Sequence, residues 1–337
     1  HEFRMVCFFK SCQSMGKKQN SEDGRQMMTV NHMEGLTTRL IFEFLHLLGR
    51  LSIPVSKALS RLMGYLWYRL DAKHRNIALC NLKQAFEDER TSNEIVQLAI
   101  RAFQQIIGVL FELAWYSRKQ LTDLPELFTL RGMNHLNEAM AKGQGVLALT
   151  AHLGNWELLT AGPVLGRFPI HIVYRPLDFR PLDHVVSGLR VRFGARLIPS
   201  TKAMRKILRA LNRCEVVGIL MDQNVDWYEG VFVDFFNKPA CTNKGMAILA
   251  LRTKAPVIPV FIVREAGNFV IEFQPALPLV QTGDDTHDVE ANTAQYNQAI
   301  EAMIRRYPDQ WFWVHQRWKT LNYCDLPVPA GPTGSGN

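Results

Sequence analysis

The sequence predicts an α/β domain, a mixed sheet flanked by helices, preceded by an amino-terminal helical region of membrane-docking character. Three observations carry this expectation. Short apolar runs recur from residue 145 to residue 273, as in buried strands. Helical patterns lie between several of them, which argues for a sheet covered on both faces. A long apolar stretch broken by single charges occupies residues 37–70. The chain has 337 residues, 47% of them hydrophobic and 21% charged. That is enough apolar surface for a sizeable core and too much for global disorder.

From the amino terminus, residues 1–33 are polar and irregular, with GKKQNSEDG at 16–24, and residues 330–337 read AGPTGSGN. Both are expected to be tails. Residues 37–70 read TTRLIFEFLHLLGRLSIPVSKALSRLMGYLWYRL, interrupted by Arg39, Glu43, Arg50, Lys57 and Arg61. A spanning helix needs about 20 apolar residues with few charges. The expectation is therefore a helical pair, kinked near Pro54, lying in the membrane interface. Tyr65, Trp67 and Tyr68 are residue types that favour the headgroup level. An ordinary amphipathic helix packed on the domain is the alternative, and apolar residues running nearly all round favour membrane contact.

Residues 75–117 read as two helices, the second from about Ser92, a candidate N-cap, to Tyr116. Asp123 to Pro125 breaks the pattern. Strands are expected at 145–151, 171–174, 216–221, 231–235, 257–263 and 269–273. Helices are expected near 156–166, 181–193, 201–213, 243–253 and 290–306. Thr242 is a candidate N-cap for the fourth of these.

The formal net charge of +8 suits an anionic partner, either nucleic acid or an anionic membrane surface. No nucleic-acid motif accompanies the basic residues, which argues against nucleic acid. Cys7, Cys12, Cys80, Cys214, Cys241 and Cys324 form no regular spacing. They point to reduced thiols on the cytosolic side and to neither a disulfide framework nor a metal site. The first residues lack the apolar core of a cleavable signal peptide.

The chemistry concentrates in Thr150–Glu157, reading TAHLGNWE, directly after a buried-strand candidate and before a helix-like run. Sites of open α/β sheets form at such strand–turn–helix junctions. Gly154 allows the turn, and Asn155 is a plausible N-cap that places Glu157 in the first helical turn. His152 could act as a general base, with Glu157 on its other ring nitrogen. On one helix the two would stand about 140° apart, so they meet only if His152 lies in the turn before it. Chance alone gives about one His–acid pair at this spacing in a chain of this composition, so a satisfied structural histidine is the competing reading.

Other segments add to the case. Arg175 ends a second strand, and ten Lys or Arg residues stand between 175 and 213 against two acids, Arg190 and Arg192 among them. This cluster could hold a phosphorylated headgroup or be a solvated helix face. Asp222 and Gln223 lie at another strand end. Phe232, Phe235 and Phe236 could line an acyl-chain pocket or belong to the core.

HLGNWE (152–157), VYRP (173–176), LRVRFGARLIP (189–199), MDQN (221–224), GVFVDFFNKPACTNKG (230–245), LALRTKAPVIPVFIVR (249–264) and YPDQWFWVHQRWKT (307–320) occur in this order. Together with RNIALCNLKQAF (75–86), they make the chain resemble the bacterial lipid A biosynthesis acyltransferases, the lauroyl/myristoyl transferase family. Mycobacterial phosphatidylinositol mannoside acyltransferases look similar. The resemblance spans roughly residues 37–322. It implies a fold like that of glycerol-phosphate acyltransferases, with a tail at 1–36, a membrane-associating segment at 37–74, an acyltransferase domain at 75–322 and a tail at 323–337.

It also implies direct acyl transfer, without a covalent acyl-enzyme, to a hydroxyl of a membrane glycolipid of the lipid A precursor type. The donor would be an acyl carrier protein or coenzyme A thioester. His152 and Glu157 would be the catalytic pair. Asn155, Arg175, Arg190, Arg192, Asp222 and Gln223 would face substrate, with amides of the Gly154 turn or Arg175 stabilising the oxyanion. No cofactor or metal is called for. The expected location is the cytoplasmic face of the inner membrane, peripheral or monotopic. Rival readings are a phosphatidylinositol mannoside or glycerolipid acyltransferase, a thioesterase, and a non-catalytic lipid-binding protein.

Overall fold

The computed structural model describes residues 23–320 apart from Arg167; the tail expected at 323–337, and residues 1–22 of the tail expected at 1–36, lie outside the described residues. Four helices come first: α1 (Asp23–Leu48), α2 (Ile53–Leu70), α3 (Ala72–Phe86) and α4 (Ser92–Tyr116). The first therefore begins inside the stretch expected to be tail. The break between α1 and α2 falls at residues 49–52, and Pro54 sits in the first turn of α2, where its missing amide costs nothing. The cap of α4 is Thr91 rather than Ser92. The Thr91 hydroxyl accepts from the Glu94 amide, and Glu94 accepts from the Thr91 amide, a reciprocal capping box.

α2 lies close along α4, and Gly64 permits the approach: a Cβ there would stand 2.4 Å from the Gln104 Cα. Among the described residues α4 is the one helix long and apolar enough to cross a membrane. One face of it nevertheless builds the interior, through Leu98, Ala99, Ala102 and Phe103. The segment expected to touch the membrane does expose apolar side chains. Leu36, Leu40, Phe44 and Leu47 form a single stripe on α1, and Leu62, Leu66 and Leu70 continue one on α2.

The rest is an α/β domain. Its elements are β1 (Phe128–Arg131), α5 (Met133–Met140), β2 (Val146–Thr150), a 3-10 turn (Trp156–Ala161), α6 (Gly162–Gly166), β3 (Ile170–Tyr174), α7 (Arg180–Arg192), β4 (Arg196–Pro199), α8 (Met204–Leu211) and β5 (Val216–Leu220). There follow β6 (Gly230–Phe235), β7 (Lys238–Asn243), α9 (Gly245–Thr253), β8 (Val257–Glu265), β9 (Asn268–Phe273) and α10 (Asp285–Arg306). Seven strands form one sheet in the order β1-β9-β8-β2-β5-β3-β4, parallel throughout except at the β8–β9 hairpin. β6 and β7 pair antiparallel as a separate hairpin packed on α10.

β2 is buried at every position, which explains its continuous apolar run. Each face of the sheet carries its own core. Leu147, Leu149 and Val217 point to one, with α3, α4 and α10; Val146, Ala148 and Val216 point to the other, with α5 and α7. Three strands are absent from the sequence expectation. β1 and β4 are four-residue edge strands with one buried position each, and β7 reads KPACTN, with a proline and no apolar run. Thr242 lies buried inside β7 and caps nothing; Lys244 holds the N-cap position of α9 without a side-chain bond.

After α10 the chain returns through Trp311 and Trp313, both buried, to the open end of the sheet. Asn81 of α3 pins this return by donating from Nδ2 to the carbonyls of Trp313 at 2.8 Å and His315 at 2.6 Å. Asn81 is itself buried. Asn81→Ala would strand two carbonyls and is expected to cost about 2–4 kcal/mol in chemical denaturation; a loss below about 0.5 kcal/mol would contradict this anchoring role.

Candidate active site

β2 and β5 are neighbours, with Thr150 opposite Leu220. Two residues beyond each partner stand His152 and Asp222. The Met221 amide donates to the Thr150 carbonyl at 3.0 Å and extends the pairing past the strand ends. Asp222 therefore lies directly beside His152. Its Oδ1 is 2.8 Å from His152 Nδ1, and its Oδ2 accepts from the His152 amide at 2.9 Å and from Trp311 Nε1 at 2.7 Å. Asp222 is fully buried. Burial alone would raise its carboxyl, but His152 and, secondarily, His315 hold it well below the usual carboxylate range. An ionised Asp222 accepts a hydrogen bond from Nδ1–H, which leaves Nε2 as the basic nitrogen. The His152 side chain is 20% exposed, so Nε2 is reachable.

Glu157 does not pair with His152. Its carboxylate takes a two-pronged bond from Arg190, 2.7 Å from Nε and 2.6 Å from Nη2. Burial works against the Arg190 guanidinium, and Glu157 outweighs it, leaving it above its ordinary value. Glu157 also accepts from Trp156 Nε1 at 3.2 Å, and the Trp156 ring meets the His152 imidazole edge-on at 5.0 Å. The acid thus bears on the histidine through the indole.

The turn between them is fixed by backbone. Gly154 takes φ +61°, and a Cβ there would stand 2.0 Å from the Ile262 carbonyl oxygen. The Gly154 amide donates to the Gln310 carbonyl at 2.9 Å and the Leu153 amide to Ala151 at 2.7 Å. Those two amides are committed within the fold and do not form the expected oxyanion hole. Asn155 is buried and makes no capping bond; its Nδ2 donates to Glu112 at 2.9 Å, which also holds Arg264 by two bonds of 2.5 Å.

Comparison with known sequences falls on the same region. The sequence profile described as "Bacterial lipid A biosynthesis acyltransferase" matches residues 26–320. The chain belongs to this family. A "Lipid A biosynthesis acyltransferase" of Haemophilus influenzae is 26% identical over 82% of this chain and 86% of its own length. A "Lipid A biosynthesis lauroyltransferase" of Escherichia coli is 27% identical over 77% of this chain and 81% of its own. A "Phosphatidylinositol mannoside acyltransferase" of Mycobacterium tuberculosis is 27% identical over 56% of this chain and 58% of its own.

Within this acyltransferase the remaining expected site residues disperse. Asp222 and Asn155 are too buried to face substrate; the first belongs to His152 and the second to Glu112. Arg190 is occupied by Glu157. Arg192 is exposed and donates to the Lys119 carbonyl at 2.9 Å. Arg175, with its side chain 81% exposed, stands at the end of β3 and pairs with Asp178 at 3.5 Å, where a ligand can compete for it. Gln223 is exposed beside Asp222.

Phe235 and Phe236 are core residues packed on Trp311, Trp313 and Phe86, so they line no acyl slot. Phe232 borders an open groove of about 630 Å³ whose wall includes Asp234, His287, Glu290, Glu301 and Arg305, an unsuitable lining for a hydrocarbon. A small apolar cavity of about 40 Å³ lies instead under Thr150, bounded by Ala148, Gly162 and Gly218.

Two groups behind Asp222, Arg317 fully buried and His315 half-buried, escaped the sequence reading. Arg317 is fully buried, donating to the Cys241 carbonyl at 2.9 Å and to Thr242 Oγ1 at 2.6 Å, with its guanidinium 4.8 Å from the Phe235 ring centre. Burial pulls it down to about 10, partly offset by Asp222. His315 Nδ1 is 2.8 Å from the Phe312 carbonyl, and burial depresses its pKa below the ordinary 6.5. The unfolded chain therefore binds more protons than the folded one as pH falls through 6.5, and stability is lost on acidification. Melting temperature should fall between about pH 7 and 5, and less steeply in His315→Gln. Parallel slopes in the two proteins would remove His315 from this account.

Proposed function

We propose that the protein moves a fatty acyl group from a thioester to a hydroxyl of a membrane glycolipid, with His152 as general base and Asp222 as its orienting carboxylate. The observation that carries this reading is the buried Asp222 held 2.8 Å from His152 Nδ1, with Nε2 on the open side. Family membership supports acyl transfer to a glycolipid, and the activity class is O-acyl transfer.

His152 Nε2 takes the proton from the acceptor hydroxyl as its oxygen attacks the thioester carbonyl. The imidazolium that forms is stabilised by Asp222, which also fixes the tautomer. Collapse of the tetrahedral intermediate breaks the C–S bond, and the leaving thiolate recovers the proton from Nε2. Each proton removed is returned, so no enzyme nucleophile or cofactor enters the balance. An acyl carrier protein or coenzyme A thioester presents the same reacting group, and either serves as donor. Glu157, paired with Arg190, is a positioning residue that braces Trp156 against the imidazole. Arg175 stands where a phosphate of the acceptor headgroup can replace Asp178. The exposed apolar stripes of α1 and α2 seat the protein peripherally on the cytoplasmic face of the inner membrane.

The test uses purified protein, detergent-dispersed glycolipids and labelled thioesters of both carriers. His152→Ala should lose about 10³-fold or more in kcat, and Asp222→Asn about 10²- to 10⁴-fold. Glu157→Gln should fall by about 10-fold, less than either, because it acts at one remove. Full activity in folded His152→Ala would sink the mechanism. A silent Asp222→Asn beside an inactive Glu157→Gln would return the orienting role to Glu157.

A further inference from the structure

Eight Lys or Arg and no Asp or Glu stand between Asp183 and Glu215. Five of the eight gather on and beside α8. That helix packs on β5, buries Ile207, Ala210 and Leu211, and exposes Arg205, Lys206 and Arg209. Lys202 and Arg213 are exposed on either side of it. A helix face that is merely solvated ordinarily carries both signs of charge. Among the described residues Lys202, Arg205, Lys206 and Arg209 have no ion-pair partner, and Arg213 reaches Glu215 at 3.5 Å.

The fold loses by this arrangement. Arg205 and Lys206 stand in the first turn of α8, where the positive end of the helix dipole repels them, and that turn contains no acid. Arg205 and Arg209, four apart on one face, repel each other. Their placement relates them to the site. β4 ends at Pro199, the register partner of Tyr174 in β3, and the Ser200 amide donates to the Tyr174 carbonyl at 2.8 Å. Arg175 follows Tyr174, so α8 begins at the end of the sheet that bears His152. β4 and β5 both run parallel to β3, and α8 therefore returns down the flank of the domain. Lys202, Arg205 and Lys206 stand near the site, Arg209 and Arg213 progressively farther from it. Met204, 40% exposed, adds a pliable apolar contact to the row.

We propose that the exposed face of α8, from Lys202 to Arg213, docks an acidic protein that carries the acyl thioester. The assignment of that partner as donor rests on the acyl-transfer reading above. A ridge of cations about two helical turns long on a convex face matches an extended acidic surface, such as one side of a partner helix. The compact phosphates of coenzyme A would meet a single turn of it. A bilayer is the weaker occupant. The apolar stripe of α1 belongs to a helix that packs with α7, and the core under α7 lies on the opposite face of the sheet from the core under α8. A flat surface seated on that stripe does not reach Arg209 and Arg213. A protein docked on the flank covers the whole row and presents its thioester at the end where His152 stands.

The test compares the wild type with a triple variant, Arg205→Glu, Lys206→Glu and Arg209→Glu. One acyl chain is presented by bacterial acyl carrier protein and by coenzyme A, and binding of the unacylated carrier protein is measured by calorimetry. The wild type should bind the carrier protein, more weakly as salt rises. The triple variant should lose that binding and show KM for the carrier-protein thioester raised about tenfold or more, with kcat at saturation unchanged and KM for the coenzyme A thioester within about twofold. Its melting temperature should not fall, because glutamates suit the start of a helix. No carrier-protein binding by the wild type, equal binding by the variant, or an equal rise in KM for both donors would overturn the docking surface. So would a variant that keeps carrier-protein binding but loses co-sedimentation with phosphatidylglycerol vesicles. Carrier-protein binding without transfer from either donor would refute the acyltransferase reading and leave the docking surface in place. Transfer from the coenzyme A thioester without carrier-protein binding would do the reverse.

Discussion

The register between β2 and β5 is the constraint on which the site depends. Because Thr150 lies opposite Leu220, the residues two places on, His152 and Asp222, leave the sheet side by side. A shift of one residue would turn every side chain of one strand to the other face and separate the two. The buried alternation on both faces of β2 prevents that shift, since Leu147 and Leu149 belong to one core and Val146 and Ala148 to the other. The packing that stabilises the domain therefore also sets the distance between base and carboxylate.

Asp222 carries a cost that the surroundings must meet. A fully buried carboxylate is tolerated only when its oxygens are satisfied. Here the His152 imidazole and amide and the Trp311 indole all bond it, and Arg317 lies buried behind it. Trp311 and Arg317 come from the returning segment after α10, and Asn81 holds that segment in place. Glu157 and Arg190 form a second, half-buried pair on the other side, so that the imidazole stands between a carboxylate at one ring nitrogen and an indole at its face. The spacing of His152 and Glu157 thus has a physical meaning different from direct contact: the acid fixes the ring that the histidine leans on.

Much of this was legible in the sequence, and the gaps have identifiable causes. The buried strands β2, β5 and β8 announce themselves as apolar runs, and α4 by its periodicity. β1 and β4, at the sheet edges, and β7, in a hairpin, carry too few apolar residues to register. His152 was marked by its strand–turn–helix setting. Asp222 was visible at another strand end, but strand order is not written in local sequence, so its nearness to His152 could not be read. Asn155 looked like a cap because caps and buried amides use the same residue type; only the position of Glu112 on α4 separates them. Phe235 and Phe236 were ambiguous for the same reason, and the packing of Trp311 and Trp313 makes them core.

The central claim is that Asp222, and not Glu157, sets the state of the His152 imidazole. Nitrogen NMR of the labelled His152 ring at neutral pH addresses it without substrate. A neutral His152 ring should carry its proton on Nδ1 in the wild type and in Glu157→Gln, and should lose that preference in Asp222→Asn. A ring protonated on Nε2 in the wild type, or one that responds to Glu157→Gln and ignores Asp222→Asn, would contradict the account.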